Sequence, residues 1–171
     1  WETGVVVSES LRAGEDSFNE SIIRFIRRKK RLVIGPRTVG KIKISVGTVD
    51  RRAKERTIEV RGRDASSGLP KMVAVNSLEI QRALEAQVMN VLEGVKSILE
   101  KTPPELVAAI NDHGIILTGG GALIDGLDRV ITRSIGIAAY LVESPRYAVI
   151  KGVAKALDEM SQLRDTLDEL Q

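Results

Sequence analysis

The sequence predicts an α/β fold, because its last third alternates short apolar strands with amphipathic helices. Ile115–Thr118 and residues 138–142 are each short and rich in β-branched or aliphatic side chains, which is typical of strands. A glycine-rich turn and a helical pattern over residues 122–133 lie between them. Further upstream, apolar and polar residues that alternate predict a β-hairpin, and a stripe of apolar residues predicts one long helix. Both support the same fold class.

The first third predicts a strand followed by two amphipathic helices. Strand residues are expected at 5–7 and 10–13, and Asp16 is expected to cap the first helix. The apolar face of that helix comprises Phe18, Ile22, Ile23 and Ile26. Gly35-Pro36 then separates it from a second short helical segment. The apolar side chains of this second segment are Val39, Ile42, Ile44 and Val46.

The middle third predicts a β-hairpin and a long helix. Residues 57–60 and 72–75 alternate apolar with polar side chains around a turn-rich stretch at 64–70. Asn76 is expected to cap the following helix, with Glu79 at the capping-box position. The apolar stripe of that helix is Ile80, Leu84, Val88, Val91, Leu92, Val95 and Ile98. Pro103-Pro104 ends it and opens a short helix with apolar positions at Leu106, Val107 and Ile110.

Composition excludes several classes of function. The 171 residues contain no cysteine, so a disulfide scaffold and thiolate metal sites are excluded. The net charge of +3 and the aromatic content of 3% argue against a nucleic-acid partner. The single histidine, His113, has no ligand partners at metal-binding spacing, so we predict no metal site and no catalytic triad in this chain.

The most informative motif is Gly119, Gly120 and Gly121 followed by Ala122, placed between a strand and a helix. Glycines there let a ligand approach the backbone, and the free amides at a helix start attract negative charge. The motif matches neither a Walker A loop nor the dinucleotide fingerprint. By itself such a turn is as often tight packing as a ligand site.

Four segments in register resemble one family. Residues 114–128, around the glycine motif, closely resemble the adenosine-binding segment of MreB-type (rod-shape-determining) bacterial actins. Residues 58–64, 67–71 and 101–106 resemble the corresponding segments of the same family, and the order matches from about Gly4 to Leu157.

The resemblance implies the second half of an actin-like ATPase fold. An RNase-H-like large lobe is expected from residues 1–14 and 80–145, with a smaller α+β lobe inserted at 15–79. Residues 146–171 are expected to form an amphipathic helix that docks on the first half. The family's phosphate loops map upstream of Trp1, so this chain alone is not expected to hydrolyse ATP, and no catalytic residue is assigned.

The resemblance also implies ATP with magnesium as the cofactor. Gly119, Gly120, Gly121 and Ala122 would back the adenosine, and Lys43 would reach toward the nucleotide from the small lobe. The family's ribose-binding glutamate is replaced by Gly40, which offers no side-chain acceptor. Glu15-Asp16 stands where the family has Gly-Asp beside the sugar. We therefore expect weaker or altered nucleotide contact.

The function implied is that of an ATP-dependent cytoskeletal filament subunit in cell shape and the organisation of cell-wall synthesis. Its partners would be further copies of itself and wall-synthesis proteins, and it would lie in the cytoplasm at the inner membrane face. Contact with the membrane itself would belong to the absent half. We expect residues 61–71, an extended polar loop at the far end of the small lobe, to take part in filament contacts.

Two features leave alternatives open. The apolar positions of the terminal helix step by four, three, four and three residues, at Ala156, Met160, Leu163, Leu167 and Leu170. They suit docking on the first half, or a non-catalytic scaffold that self-associates through this helix. The basic residues Arg24, Arg27, Arg28, Lys29, Lys30 and Arg31 suit a solvated helix end or an anionic surface.

Overall fold

The computed structural model describes residues 15–118 and 124–142. In chain order the elements are α1 (Glu15–Lys30), β1 (Leu32–Val33), α2 (Pro36–Ser45), β2 (Thr57–Asp64), β3 (Pro70–Asn76), α3 (Ser77–Lys101), α4 (Pro104–His113), β4 (Ile115–Thr118), α5 (Leu127–Ile135) and β5 (Ala139–Val142). The mixed α/β class predicted from the sequence is confirmed.

The first sheet has three antiparallel strands in the order β1-β2-β3. The predicted hairpin is confirmed, with longer strands and a shorter loop than expected. The loop is tight because the Asp64 carboxylate accepts hydrogen bonds from the backbone N–H groups of Ser66 and Ser67, both at 2.8 Å. These donors, followed by the ammonium of Lys71, hold the pKa of Asp64 well below its usual range.

Helices α1 and α3 pack against each other and against this sheet. Phe18, Ile22 and Ile26 follow one another at four-residue spacing and are completely buried, as are Ile80 and Leu84 on α3. The predicted stripe of α3 is therefore confirmed, with only Ile98 of its members partly exposed. The buried side chains of both sheets and these helices form one continuous core within the described residues.

The start of α3 is fixed by the predicted capping box, which is confirmed. The Glu79 N–H donates to Asn76 Oδ1 at 2.9 Å, and the Asn76 N–H donates to Glu79 Oε1 at 3.1 Å. The second carboxylate oxygen of Glu79 lies 2.8 Å from Lys30 Nζ, which joins the end of α1 to the start of α3.

The second sheet pairs β4 and β5 in parallel, with α5 in the connection, and so forms the predicted βαβ unit. Helix α5 begins at Leu127, so the prediction of a helix from residue 122 is wrong at Ile124, Asp125 and Gly126. Those residues are held out of the helix because Gly126 has a φ of +89° and Asp125 pairs with Thr48.

Two further local expectations differ from the structure, and one short strand was not expected. Asp16 already lies inside α1, where a carboxylate suits the positive end of the helix dipole, and is not the N-cap. Ile44 lies on the outer side of α2 and is 84% exposed. The two-residue strand β1 was not predicted, because two residues carry no periodicity.

Several expectations lie outside the described residues: the strand at 5–7 and 10–13, the glycine turn, and the terminal helix at 146–171. The division into lobes at 1–14 with 80–145, and at 15–79, stays a prediction. Among the described helices, none is long and apolar enough to cross a membrane.

Candidate functional site

Lys43 lies in the last turn of α2, a helix that contacts strand β2 of the three-stranded sheet. It is half-buried. The helix closes through the backbone, because the N–H of Val46 donates to Ile42 O at 2.9 Å and that of Gly47 to Lys43 O at 3.2 Å. A cation in this last turn also suits the negative end of the helix dipole.

Gly40 lies one turn before Lys43 on the same helix. A Cβ placed there would meet no atom within 4 Å. The position therefore has room for a ligand or for a larger side chain, although glycine itself offers no hydrogen-bond acceptor beyond its backbone.

Gly119, Gly120, Gly121 and Ala122 lie outside the described residues, but the chain on either side is described. Strand β4 leads into this segment, and Ile124 is the first described residue that follows it. Ile124 is buried in the core at 3% exposure.

The segment after the glycines lies beside the loop that follows α2. Thr48 and Asp125 form a parallel β-bridge, and the N–H of Val49 donates to Asp125 O at 2.9 Å. The Thr48 hydroxyl donates to Asp125 Oδ2 at 2.8 Å and itself accepts from the Asp50 N–H at 3.1 Å. The loop that follows Lys43 and the segment that follows the glycines therefore contact each other.

Asp50 is the centre of a charged cluster at this contact. Its carboxylate is 4% exposed and lies 2.6 Å from the Arg133 guanidinium and 3.0 Å from that of Arg129. The backbone N–H of Arg52 donates to it at 3.0 Å. Arg129 also reaches Asp125, at 3.2 Å. We call Thr48, Asp50, Asp125, Arg129 and Arg133 the polar junction.

The electrostatics of the polar junction follow from these contacts. Hydrogen bonds from Arg133, supported by the Arg52 N–H and by Arg129, hold the pKa of Asp50 far below its usual range although burial opposes this. Asp50 in turn raises the pKa of Arg129. Asp50 and Arg129 therefore stay charged at neutral pH.

Gly126 allows the polar junction to close. Its φ of +89° is one that side-chain-bearing residues rarely adopt, and an added Cβ would lie only 2.6 Å from the Asp50 Cβ.

Sequence analysis did not find the polar junction. Asp125, Arg129 and Arg133 follow one another at four-residue spacing, which is typical of ion pairs along a helix and could have signalled an ion-pair network, although Asp125 itself lies before the start of α5. Nothing in the sequence ties Asp50 to it, because the partners are separated by 79 and 83 residues.

Over 15–118 and 124–142, no group of three or more histidine, aspartate or glutamate side chains could hold a metal ion.

The fold matches half of an actin-like ATPase. The chain superimposes on MreB 5 of Spiroplasma citri, solved bound to AMPPNP, with a TM-score of 0.75 and 28% identity, covering 98% of this chain and 46% of that one. The class of protein is therefore the actin-like ATPase fold, with about half of it present here.

Sequence comparison identifies the family within that class. The model of the MreB/Mbl protein family matches residues 2–165. Mbl of Bacillus subtilis, described as a cell shape-determining protein, is 42% identical over 159 residues, which cover 93% of this chain and 48% of that protein. MreB of Escherichia coli, described in the same words, is 41% identical over 155 residues, covering 91% of this chain and 45% of that protein. The chain belongs to the MreB/Mbl family and spans about half the length of these curated relatives.

Proposed function

We propose that this chain supplies the adenosine side of the nucleotide cleft in an ATP-dependent, actin-like filament subunit that determines bacterial cell shape. The observation that carries the proposal is the family match, which runs from residue 2 to residue 165 and includes every segment expected at the site. On this proposal residues 15–79 form the small lobe and residues 80–145, with 1–14, the large lobe.

ATP is the proposed nucleotide. Support comes from the related MreB 5, solved with AMPPNP and with ADP. In this chain we assign Lys43 to the small-lobe side of the nucleotide and Gly119, Gly120, Gly121 and Ala122 to the adenosine side. Lys43 would hold the bound nucleotide by charge, and the glycines would admit it close to the backbone. Magnesium accompanies ATP in the proposal, but no ligand for it is assigned among the described residues.

The proposed partners are further copies of the same protein and the proteins of cell-wall synthesis. The proposed location is the cytoplasm, at the inner face of the membrane. The relatives described as cell shape-determining support this assignment of process.

The test is titration calorimetry of ATP with magnesium into the full-length protein, with Gly40→Glu alongside. We expect the natural protein to bind ATP and Gly40→Glu to bind it about tenfold more tightly, because an acceptor for the ribose hydroxyls is restored. The open space around Gly40 admits the new side chain without a clash. Gly35→Glu is the matched control: it adds the same charge at another open position, the N-cap of α2.

Three outcomes are informative. Binding by the natural protein supports the proposal. If Gly40→Glu binds ATP and the natural protein does not, the natural protein has lost the family's affinity for ATP and its role is scaffolding. Binding by neither protein would reject ATP as the ligand.

A further inference from the structure

The polar junction connects two helices, and the proposed function requires that their relative position stays fixed. Helix α2 carries Lys43, and its last turn leads within five residues to Thr48. Helix α5 begins immediately after Asp125 and Gly126, on the chain that leaves the glycine segment. We propose that Asp50 is a positioning residue for nucleotide binding, which holds the end of α2 against the start of α5 and so fixes the place of Lys43.

Both oxygens of the Asp50 carboxylate are occupied by hydrogen bonds. Oδ1 accepts from the Arg52 N–H at 3.0 Å and from Arg133 at 2.6 Å. Oδ2 accepts from Arg129 Nε at 3.0 Å and from Arg133 at 3.3 Å. A carboxylate with four donors, held at 4% exposure, is not free to bind a ligand or to take up a proton near neutral pH. Its function lies in what it holds together.

Two separate attachments join the loop after α2 to the start of α5. One attachment is the backbone pairing of Thr48 and Val49 with Asp125, and the other is the pairing of Asp50 with Arg129 and Arg133. Two attachments side by side oppose rotation as well as separation. A single one would leave the α2 end free to turn about it.

Asp50 is connected to Lys43 by a short stretch of hydrogen-bonded backbone. The carbonyl of Lys43 accepts from the N–H of Gly47, the residue just before Thr48. A shift of the loop is therefore passed to Lys43 through a single helical turn, which is stiff. Displacements of about 1 Å at a binding group can reduce function about 100-fold, so a loosened junction has consequences at a distance.

This inference rests on the proposed nucleotide site and deepens it. The experiment compares ATP affinity of the full-length natural protein with that of Asp50→Asn, which keeps the shape of the side chain and removes its charge. We expect Asp50→Asn to bind ATP about tenfold more weakly at a temperature where it is fully folded. Arg133→Lys, which keeps the charge but loses the two-pronged contact, should show a smaller loss in the same direction.

The matched control is Arg51→Gln. Arg51 is the neighbour of Asp50 and pairs with Glu85 of α3, not with α5. Loss of that exposed pair should leave ATP affinity unchanged. A loss in Arg51→Gln equal to that in Asp50→Asn would overturn the inference, since any disturbance of the loop would then suffice.

A double-mutant cycle separates positioning from general destabilisation. If Asp50 acts through Lys43, Asp50→Asn should weaken binding much less when Lys43 is already alanine. Equal losses in both backgrounds, or a variant that melts earlier but binds ATP like the natural protein, would overturn the inference while the proposed function stands. Should Asp50→Asn fail to fold, Arg133→Lys carries the same cycle. A natural protein that binds no ATP would overturn both.

Discussion

At the scale of single residues, Asp50 shows how a buried charge is tolerated in this fold. Its carboxylate is 4% exposed, whereas the side chains of Arg129 and Arg133 are 48% and 36% exposed. Among the charged members of the polar junction, Asp50 alone therefore loses most of its hydration, and its carboxylate accepts charged hydrogen bonds that compensate. Because its pKa lies below the value for an unfolded chain, the stabilisation is present at neutral pH and is lost only as the pH falls below about 4.

Gly126→Ala provides a test of the polar junction at one backbone position. We expect a loss of about 2–4 kcal/mol in the free energy of unfolding, since the left-handed backbone and the contact with Asp50 both oppose a methyl group. Urea denaturation of the full-length protein measures it.

Gly136→Ala is the matched control for that change. Gly136 has a similar φ of +82° at the other end of α5, but an added Cβ meets no atom within 4 Å. Gly136→Ala should lower the free energy of unfolding by only about 1–2 kcal/mol, which is the penalty of a left-handed backbone for a residue with a side chain. Equal losses in the two variants would show that contact with Asp50 contributes nothing.

At the scale of elements, the N-terminus of α3 is where three segments meet. Asn76 ends β3 and caps α3, and Glu79 joins that cap to Lys30 at the end of α1. The cap thus sets the angle at which the strand enters the helix and the position of α1 beside it.

Asn76→Ala removes the side chain that satisfies the Glu79 N–H. We expect a loss of about 1 kcal/mol in the free energy of unfolding, and Asn76→Asp, which keeps the acceptor, should lose less. Urea denaturation again provides the measurement. A loss as large for aspartate as for alanine would mean that the amide, and not the acceptor oxygen, is what the cap requires.

Elements whose signals are local could be predicted from the sequence. The stripe of α3, the capping box and the β2–β3 hairpin depend on residues within a few positions of each other, and all three are confirmed. The polar junction could not be predicted, because Asp50 and Arg133 meet only through the tertiary fold. The late start of α5 at Leu127 has this cause in part, because Asp125 is held by Thr48, 77 residues away. The exposure of Ile44 is instead local, since a residue two positions from the buried Ile42 lies on the opposite side of a helix. For the site, sequence reasoning named Lys43 and Gly40 but not the residues that hold their helix in place.

At the scale of the whole molecule, one face of the hairpin is open to solvent. Arg61 and Arg63 of β2 lie opposite Met72 and Pro70 of β3, and the side chains of all four are exposed. Leu69, in the adjoining loop, is 64% exposed and Met72 is 47% exposed. Apolar side chains among cations at the end of a sheet suit an interface. We propose this outer hairpin face as a filament contact, with another copy of the protein as its partner.

Charge reversal tests the outer hairpin face. In a filament, each copy presents one surface to a different surface of the next, so a change on one face weakens every contact along the polymer. Arg61→Glu with Arg63→Glu should raise the concentration needed for assembly about tenfold or more, because two cations at the proposed contact are replaced by anions and the charge complementarity of the contact is lost.

The measurement is sedimentation of the full-length protein with ATP over a range of protein concentrations. Arg82→Glu, which reverses an exposed arginine on α3, is the control for a charge reversal elsewhere on the surface and should assemble like the natural protein. ATP affinity of the double variant should equal that of the natural protein, because neither arginine belongs to the nucleotide site or the polar junction. Assembly of the double variant at the natural concentration would exclude the outer hairpin face as a contact. Loss of assembly in Arg82→Glu as well would assign the effect to overall charge and not to this surface.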